Sequence, residues 1–220
     1  MSFDYFDKVY CISLPGQGRR DRMRERFAGV GITNYEFVYA QEPVEGLKMS
    51  NLRRNHRGEL GANLSHALAV FKSLMDGAQS PLFFEDDVVF TQGAEYFLAR
   101  AMEELPPSWS MLYMGGHPRS EYTIHSKHLA RVGEWSFAEA YGFSCPKSAE
   151  YFLYSWFNDM GQHDAMYDFI LGRYAAAFCS FCTMPLLTSQ PDGTYSHIGG
   201  KVDNGKEALV KRGWENNLCR

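Results

Sequence analysis

Three consecutive acids, Glu85, Asp86 and Asp87, interrupt an apolar stretch, with Leu82-Phe83-Phe84 before them and Val88-Val89-Phe90 after. Both flanks are β-forming. Two carboxylates about 5 Å apart repel by roughly 3 kcal/mol at an effective dielectric near 20. Leaving such charges unpaired in an apolar setting costs more. Two readings fit. One is an acidic, solvated turn between two strands. The other is a site for a hard divalent cation, because oxygen-rich sites suit Mg²⁺ and Mn²⁺.

Five other segments carry side chains capable of chemistry. Pro15-Gly16-Gln17-Gly18 leads into Arg19, Arg20 and Arg22. A helix N-terminus there would favour an anion through its free N–H groups and dipole. The glycines match neither GxGxxG nor a P-loop, so a solvated basic helix face is the competing reading. Ser65 and His66 fall early in a second helical segment, where a histidine is a cap, a satisfied core residue or a ligand. His163-Asp164 precedes Tyr167 and Asp168, and Asp164 can serve as an N-cap or a base. Ser196-His197 follows the Pro191-Asp192-Gly193 turn. Cys179-Ser180-Phe181-Cys182 spells CxxC without a second pair or nearby histidine, so reduced thiols are expected.

These groups need a scaffold. Lys8 to Leu14 reads as a buried strand, broken by Pro15 to Gly18. Arg19 to Val30 reads as a helix with a basic face, and Tyr35 to Ala40 as a second strand. That order is an opening βαβ unit. Residues 41–58 read as a polar loop. Gly61 to Met75 is an amphipathic helix with Leu64, Leu68, Phe71 and Leu74 or Met75 on one face. The acidic strand follows. Further expected elements are a helix over 96–105, a strand over 109–114, an irregular or hairpin-like region over 117–134, a strand over 138–144, helices over 147–156 and 161–172, and closing strands over 175–181 and 185–187. The fold class is α/β. One domain over 1–199 and a polar tail over 200–220 are expected. In an open parallel sheet, ligands bind beyond the carboxyl ends of the strands, where the acids and the basic turn both fall.

The chain has 220 residues, a net charge of −4 and 45% hydrophobic composition. This is enough for a sizeable core, and it gives no global attraction to nucleic acid or anionic membrane. Five cysteines, an odd number, suit a reducing compartment. The first residues lack a basic region followed by an apolar core, so no secretion signal is expected. No stretch is apolar and long enough to span a bilayer. The expected location is the cytoplasm, extending to the inner face of its membrane.

Taken in order, these segments resemble glycosyltransferase family 25, the bacterial lipooligosaccharide sugar transferases related to collagen galactosyltransferases. The resemblance spans about residues 8 to 200. It rests on Val9 to Leu14 with the Arg19, Arg20, Asp21, Arg22 helix, on Gly58 to His66, and most specifically on Phe84-Glu85-Asp86-Asp87. Ser110 to Gly115, Tyr141 to Ala149, His163-Asp164, Pro185 to Gln190 and Ser196-His197-Ile198 continue it. The chain departs from the family pattern at Ser13, Ala62 and Ser110.

The resemblance implies a GT-A-like, mostly parallel sheet flanked by helices. It also implies a nucleotide-diphosphate sugar donor, a glycan or lipid-linked glycan acceptor, and inversion at the anomeric carbon. A divalent cation, Mn²⁺ or Mg²⁺, would assist. Asp87, Glu85 and His197 are its expected ligands. Ser13, Leu14, Arg19, Arg22, Ser65, His66, Glu85 and Asp86 are expected around the donor. Asp164 is the first candidate base and Asp168 the reserve. Two rivals are a phage-type transferase acting on a base in nucleic acid, which the acidic balance disfavours, and a degenerate binding protein, which the three departures motivate.

Overall fold

The computed structural model describes residues 2–16, 18–42, 57–118, 122–133, 135–136, 139–162, 167–190, 195–196 and 200–201. A short 3₁₀ turn, Ser2–Tyr5, precedes strand β1, Lys8–Ser13. Helix α1, Arg19–Gly29, and strand β2, Tyr35–Tyr39, complete the first unit. Next come α2, Arg57–Met75, β3, Pro81–Glu85, β4, Val89–Phe90, and α3, Ala94–Glu104. Then follow β5, Met111–Tyr113, β6, His117–Pro118, β7, Thr123–Ile124, β8, Leu129–Arg131, and β9, Trp135–Ser136. The chain continues through β10, Ala140–Phe143, α4, Pro146–Gln162, α5, Tyr167–Ala177, and β11, Ser180–Thr183. β12, Thr188–Ser189, β13, Tyr195–Ser196, and β14, Gly200–Lys201, close it.

The central sheet has eight strands in the order β2-β1-β3-β10-β5-β11-β8-β7. β2, β1, β3, β5, β11 and β7 run one way; β10 and β8 run the other. The expected α/β, mostly parallel architecture with flanking helices is what is found. Helices cover both faces, which is why the central strands are apolar on both sides. Alternation divides the strand residues between two cores. Tyr10, Phe83, Tyr113, Tyr141 and Cys182 pack under α2, α4 and α5. Val9, Cys11, Leu82, Phe84, Leu112 and Phe181 pack under α1, α3 and the 3₁₀ turn.

Several expected elements differ. α5 runs to Ala177, so residues 175–177 are helical and the closing strand begins only at Ser180. The chain pairs at Thr188–Ser189 rather than over 185–187. The region over 117–134 contains the β7–β8 hairpin, and β6 pairs with β9. On α2 the expected apolar stripe divides: Leu64 and Leu74 are half-buried against the core, and the rest turns outward. Leu68, Phe71 and Met75 are 42%, 52% and 71% exposed, while Asn63, Ser65, His66, Ala67, Val70 and Ser73 are buried. The buried side of this helix is small and polar because it packs close to the sheet and bonds to it. Of the expected loop over 41–58, Arg57 and Gly58 already belong to α2 and residues 43–56 lie outside the described residues. Of the expected tail over 200–220, Gly200 and Lys201 form β14 and the rest lies outside them.

Candidate active site

β3 carries its acids to the carboxyl end of the sheet because Leu82, Phe83 and Phe84 are fixed in the interior and Glu85 is the last strand residue. Asp86 and Asp87 form the turn beyond. β4 then pairs with β12 in the register Val89 to Ser189, which brings the next residue, Gln190, over the acids. Gln190 Nε2 donates to Glu85 Oε2 at 3.2 Å and to Asp87 Oδ1 at 3.4 Å.

The three acids are not equivalent. Asp86 is buried and Arg19 Nη1 donates to its Oδ1 at 2.8 Å. Its Oδ2 is buried with no partner among the described residues. Burial raises the Asp87 carboxyl to about 7, helped by the charges of Glu85 and Asp86, with Arg19 opposing. Glu85 Oε1 lies 3.2 Å from His66 Nε2. His66 is buried, its Nδ1 is 3.1 Å from the Tyr141 hydroxyl, and its ring stacks on Tyr167 with centroids 3.9 Å apart. The cluster sets three carboxyls against the Arg19 ion pair, with Arg26 also within electrostatic reach of Asp86 and Asp87, and a cation would relieve the crowding that raises Asp87. Among the described residues, no three His, Cys, Asp or Glu side chains already converge as a ligand set.

A fourth acid is not singled out by the sequence. Glu139 is buried, and its carbonyl accepts the Glu85 N–H at 3.0 Å. It continues the β3–β10 ladder, in which Ala140 faces Phe84, so Glu139 lies opposite Glu85 on the same face. The Gly115 backbone lies against it. A Cβ there would sit 2.1 Å from Thr188 Oγ1 and 3.0 Å from Glu139 Oε2. Only the cross-strand register reveals Glu139; its local context, Phe137-Ala138-Glu139-Ala140, reads as an ordinary strand edge.

The basic turn separates into distinct roles. Gly16 and Gly18 adopt φ values of 88° and 63°, and Gly18 heads α1. Arg19 is committed to Asp86. The Arg20 guanidinium lies 4.2 Å from the Tyr39 ring centroid, and its Nη2 approaches the Ser13 carbonyl at 3.4 Å. Tyr39 is 61% exposed at the carboxyl end of β2, so an aromatic surface backed by a cation faces solvent beside the acids' edge of the sheet. Arg22 is exposed. Ser13 is buried and its Oγ donates to the Leu14 carbonyl at 3.0 Å; Leu14 is half-buried. Ser65 faces inward. Its Oγ accepts the Gln41 N–H at 2.7 Å and donates to the Gly61 carbonyl, tying α2 to the end of β2.

The structure thus gathers Glu85, Asp86, Asp87, His66 and Arg19, and adds Gln190, Tyr141, Tyr167 and Glu139. Asp164 and His197 lie outside the described residues. Asp168 is the second residue of α5, immediately after Tyr167. In the CxxC stretch, Cys182 is buried and Cys179 half-buried, and both are free.

Charged groups at the carboxyl edge of a mostly parallel sheet define an α/β protein of the open-sheet, ligand-binding class. Residues 6–151 match the family described as "Glycosyltransferase family 25 (LPS biosynthesis protein)", and the chain belongs to that family. It is therefore a glycosyltransferase by family. No curated protein matches it. Among solved structures, a glycosyltransferase involved in glycosylation of the major capsid of PBCV-1 aligns over 80% of this chain and 91% of its own, at 10% identity and TM-score 0.45. Protein A197 from STIV aligns over 90% and 94%, at 12% identity and TM-score 0.46. Mannose-1-phosphate geranyltransferase from Thermus thermophilus aligns over 80% and 73%, at 10% identity and TM-score 0.44. These are distant likenesses, and the family assignment rests on the sequence match. No helix among the described residues is long and apolar enough to cross a membrane.

Proposed function

We propose that this chain moves a hexose such as galactose from a nucleotide-diphosphate sugar to a hydroxyl of a lipooligosaccharide or other glycan, with inversion. The observation that carries the reading is the crowding of carboxyls at the sheet's carboxyl edge: Asp87 raised to about 7, and an Asp86 Oδ2 without a partner among the described residues. A Mn²⁺ or Mg²⁺ ion suits that crowding. Asp87 and Glu85 are the residues to hold it, with His197. When bound it supplies Lewis-acid neutralisation of a departing diphosphate.

The chain's own residues do the rest. Gln190 keeps Glu85 and Asp87 side by side. His66, fixed by Tyr141 and Tyr167, holds the Glu85 carboxylate in orientation. Arg19 fixes Asp86 and draws down the negative charge. Tyr39 with Arg20 offers a face for the nucleotide base. Asp164 takes the proton of the acceptor hydroxyl as that oxygen bonds to the anomeric carbon and the bond to the diphosphate breaks. Asp168 is the reserve for that role. A positioned base of this kind contributes about 10²–10⁴-fold.

The test is a thermal-shift screen of nucleotide-diphosphate sugars with and without Mn²⁺. A true donor at about 100 times its Kd stabilises by about 2.7 kcal/mol. Stabilisation that needs both sugar nucleotide and Mn²⁺ supports the reading. No response to any donor, with or without metal, defeats it.

A further inference from the structure

We infer that the outer faces of α2 and α4 form a two-fold interface between two copies of this chain. Of the ten exposed large hydrophobic residues among those described, six lie on these two helices. On α2 they are Leu68, Phe71 and Met75, spaced i, i+3, i+7, which is one stripe. On α4 they are Tyr151, Tyr154 and Phe157, at 45%, 69% and 67% exposure. The helices pack side by side. Trp156 Nε1 donates to Asn63 Oδ1 at 3.0 Å, and Ala67, Val70, Phe152 and Leu153 share one core. Phe71 is one turn beyond Ala67 and Phe157 one turn beyond Leu153, so these two side chains flank the same seam, with Leu68, Met75 and Tyr154 further out and Tyr151 stacked on Phe178.

The size fits a second copy. Large apolar side chains present roughly 150–250 Å² each, so six of them at these exposures offer about 600 Å². That reaches the upper end of what a monomer leaves bare, about 300–600 Å². It approaches the roughly 800 Å² per partner of a stable interface, before any polar rim is added. The composition also fits, since Tyr, Phe and Met are enriched at interface cores. A stripe that pairs with its own copy meets the requirement of a two-fold contact.

Charge argues against a lipid surface as the occupant. Interfacial helices that bind anionic membranes carry a free Lys/Arg belt. Here Lys72 is held by Asp76 at 3.0 Å and Glu36 at 3.2 Å, and Arg173 by Asp159 at 2.6 Å. Lys147 lies over the Tyr151 ring at 5.6 Å, and exposed Glu150 sits between them in sequence.

Light scattering on the full chain tests this, without any donor or metal. The expected mass is twice the 25.1 kDa of one chain. Phe71→Glu with Phe157→Glu should return a monomer with the melting temperature of a folded domain, because both side chains face water in the single chain. If that double variant fails to fold, Met75→Lys with Tyr154→Lys is the milder pair, and it should weaken dimerisation at least tenfold. A monomeric wild type at micromolar concentration overturns the inference, as does a dimer indifferent to the folded variants. Flotation of monomeric wild type with phosphatidylglycerol vesicles, abolished by the same substitutions, would assign the face to lipid instead.

Discussion

Two carboxylate–histidine pairs in this molecule look alike in sequence terms and behave oppositely. At the edge of the fold, Glu104 ends α3 and reaches His128 in the β7–β8 region. It accepts from His128 Nδ1 at 2.6 Å, from the His128 backbone N–H at 2.9 Å, and from Ser126 Oγ. These three donors point at it, and although burial opposes, the bonds hold its carboxyl below the ordinary range. At the sheet's carboxyl end, Glu85 meets His66 at a looser 3.2 Å and shares Gln190 with Asp87. There the neighbours are more acids, and Asp87 is pushed up rather than down. A carboxylate saturated with donors is finished as a structural tie. A carboxylate crowded by others is incomplete without a cation or a proton, and that incompleteness marks the site.

The comparison breaks most directly at Asp87. Asp87→Asn relieves a like-charge contact, so the metal-free fold should keep or gain stability, while kcat/KM falls on the order of 10²–10³ as transition-state charge stabilisation is lost. Steady-state kinetics beside a melting curve reads both. Lost stability together with retained turnover would make the acidic cluster a structural feature like Glu104.

Arg19 is the next largest. Sequence reading groups Arg19, Arg20 and Arg22 as one anion-binding face, each acting on donor affinity. The structure separates them, because Arg19 neutralises a buried Asp86. Removing one partner of a buried pair costs about 3–5 kcal/mol. Arg19→Ala should therefore lower stability in a chemical denaturation titration, whereas Arg22→Ala, on an exposed side chain, should leave it unchanged. Arg19→Ala with full stability and only a raised donor KM would restore the uniform face.

That contrast shows what sequence could carry here. The βαβ opening was legible because Pro15 to Gly18 punctuates a strand and a helix at the right lengths. The acids were legible because charge is conspicuous inside an apolar run. The roles of Arg19, Gln190, Glu139 and Tyr167 were not, since each depends on a register or crossover joining residues far apart in the chain. Gln190 meets Glu85 only because β12 pairs with β4. The stripe on α2 was visible as a period, but not how it divides between core and solvent. Apolar periodicity fixes which residues share a face, and the hydrogen bonds of Ser65 and His66 fix which face turns inward.

Glu104→Gln should cost about 1–3 kcal/mol through unsatisfied donors, with kcat unchanged. The pH dependence sharpens this. Glu104 has a lowered carboxyl in the folded state, so its contribution is present above the ordinary glutamate range and is lost as pH falls through the folded value. Asp87 has the opposite sign. Its folded value is about 7 against an ordinary 3.8, so its contribution is full below 3.8 and is lost as pH rises to about 7. Metal-free melting temperatures measured across that window should fall more with rising pH in wild type than in Asp87→Asn. Glu104→Gln should instead flatten only the acid limb. Identical pH profiles for wild type and Asp87→Asn would remove the distinction between the two pairs.

The smallest expected effect lies at Tyr39, where the site meets solvent. Its ring is 61% exposed and the Arg20 guanidinium packs on it at 4.2 Å. Little of the fold depends on that ring, so Tyr39→Ala should move stability by no more than about 0.5 kcal/mol, as for an ordinary surface change. If the ring stacks on a nucleotide base, its loss removes about 1–3 kcal/mol of binding that is equal in ground and transition states. Uniform binding of this kind raises KM and leaves kcat alone. The expected result is a donor KM raised about five- to a hundredfold, with kcat within twofold. Tyr39→Phe keeps the ring and should keep the affinity, so the conservative variant separates stacking from a hydrogen bond through the hydroxyl. If Tyr39→Phe weakens binding as much as Tyr39→Ala, the hydroxyl is the contact and the stacking assignment fails. If neither changes KM, the base lies elsewhere along the edge, and the exposed ring with its arginine belongs with the solvated surface of α1.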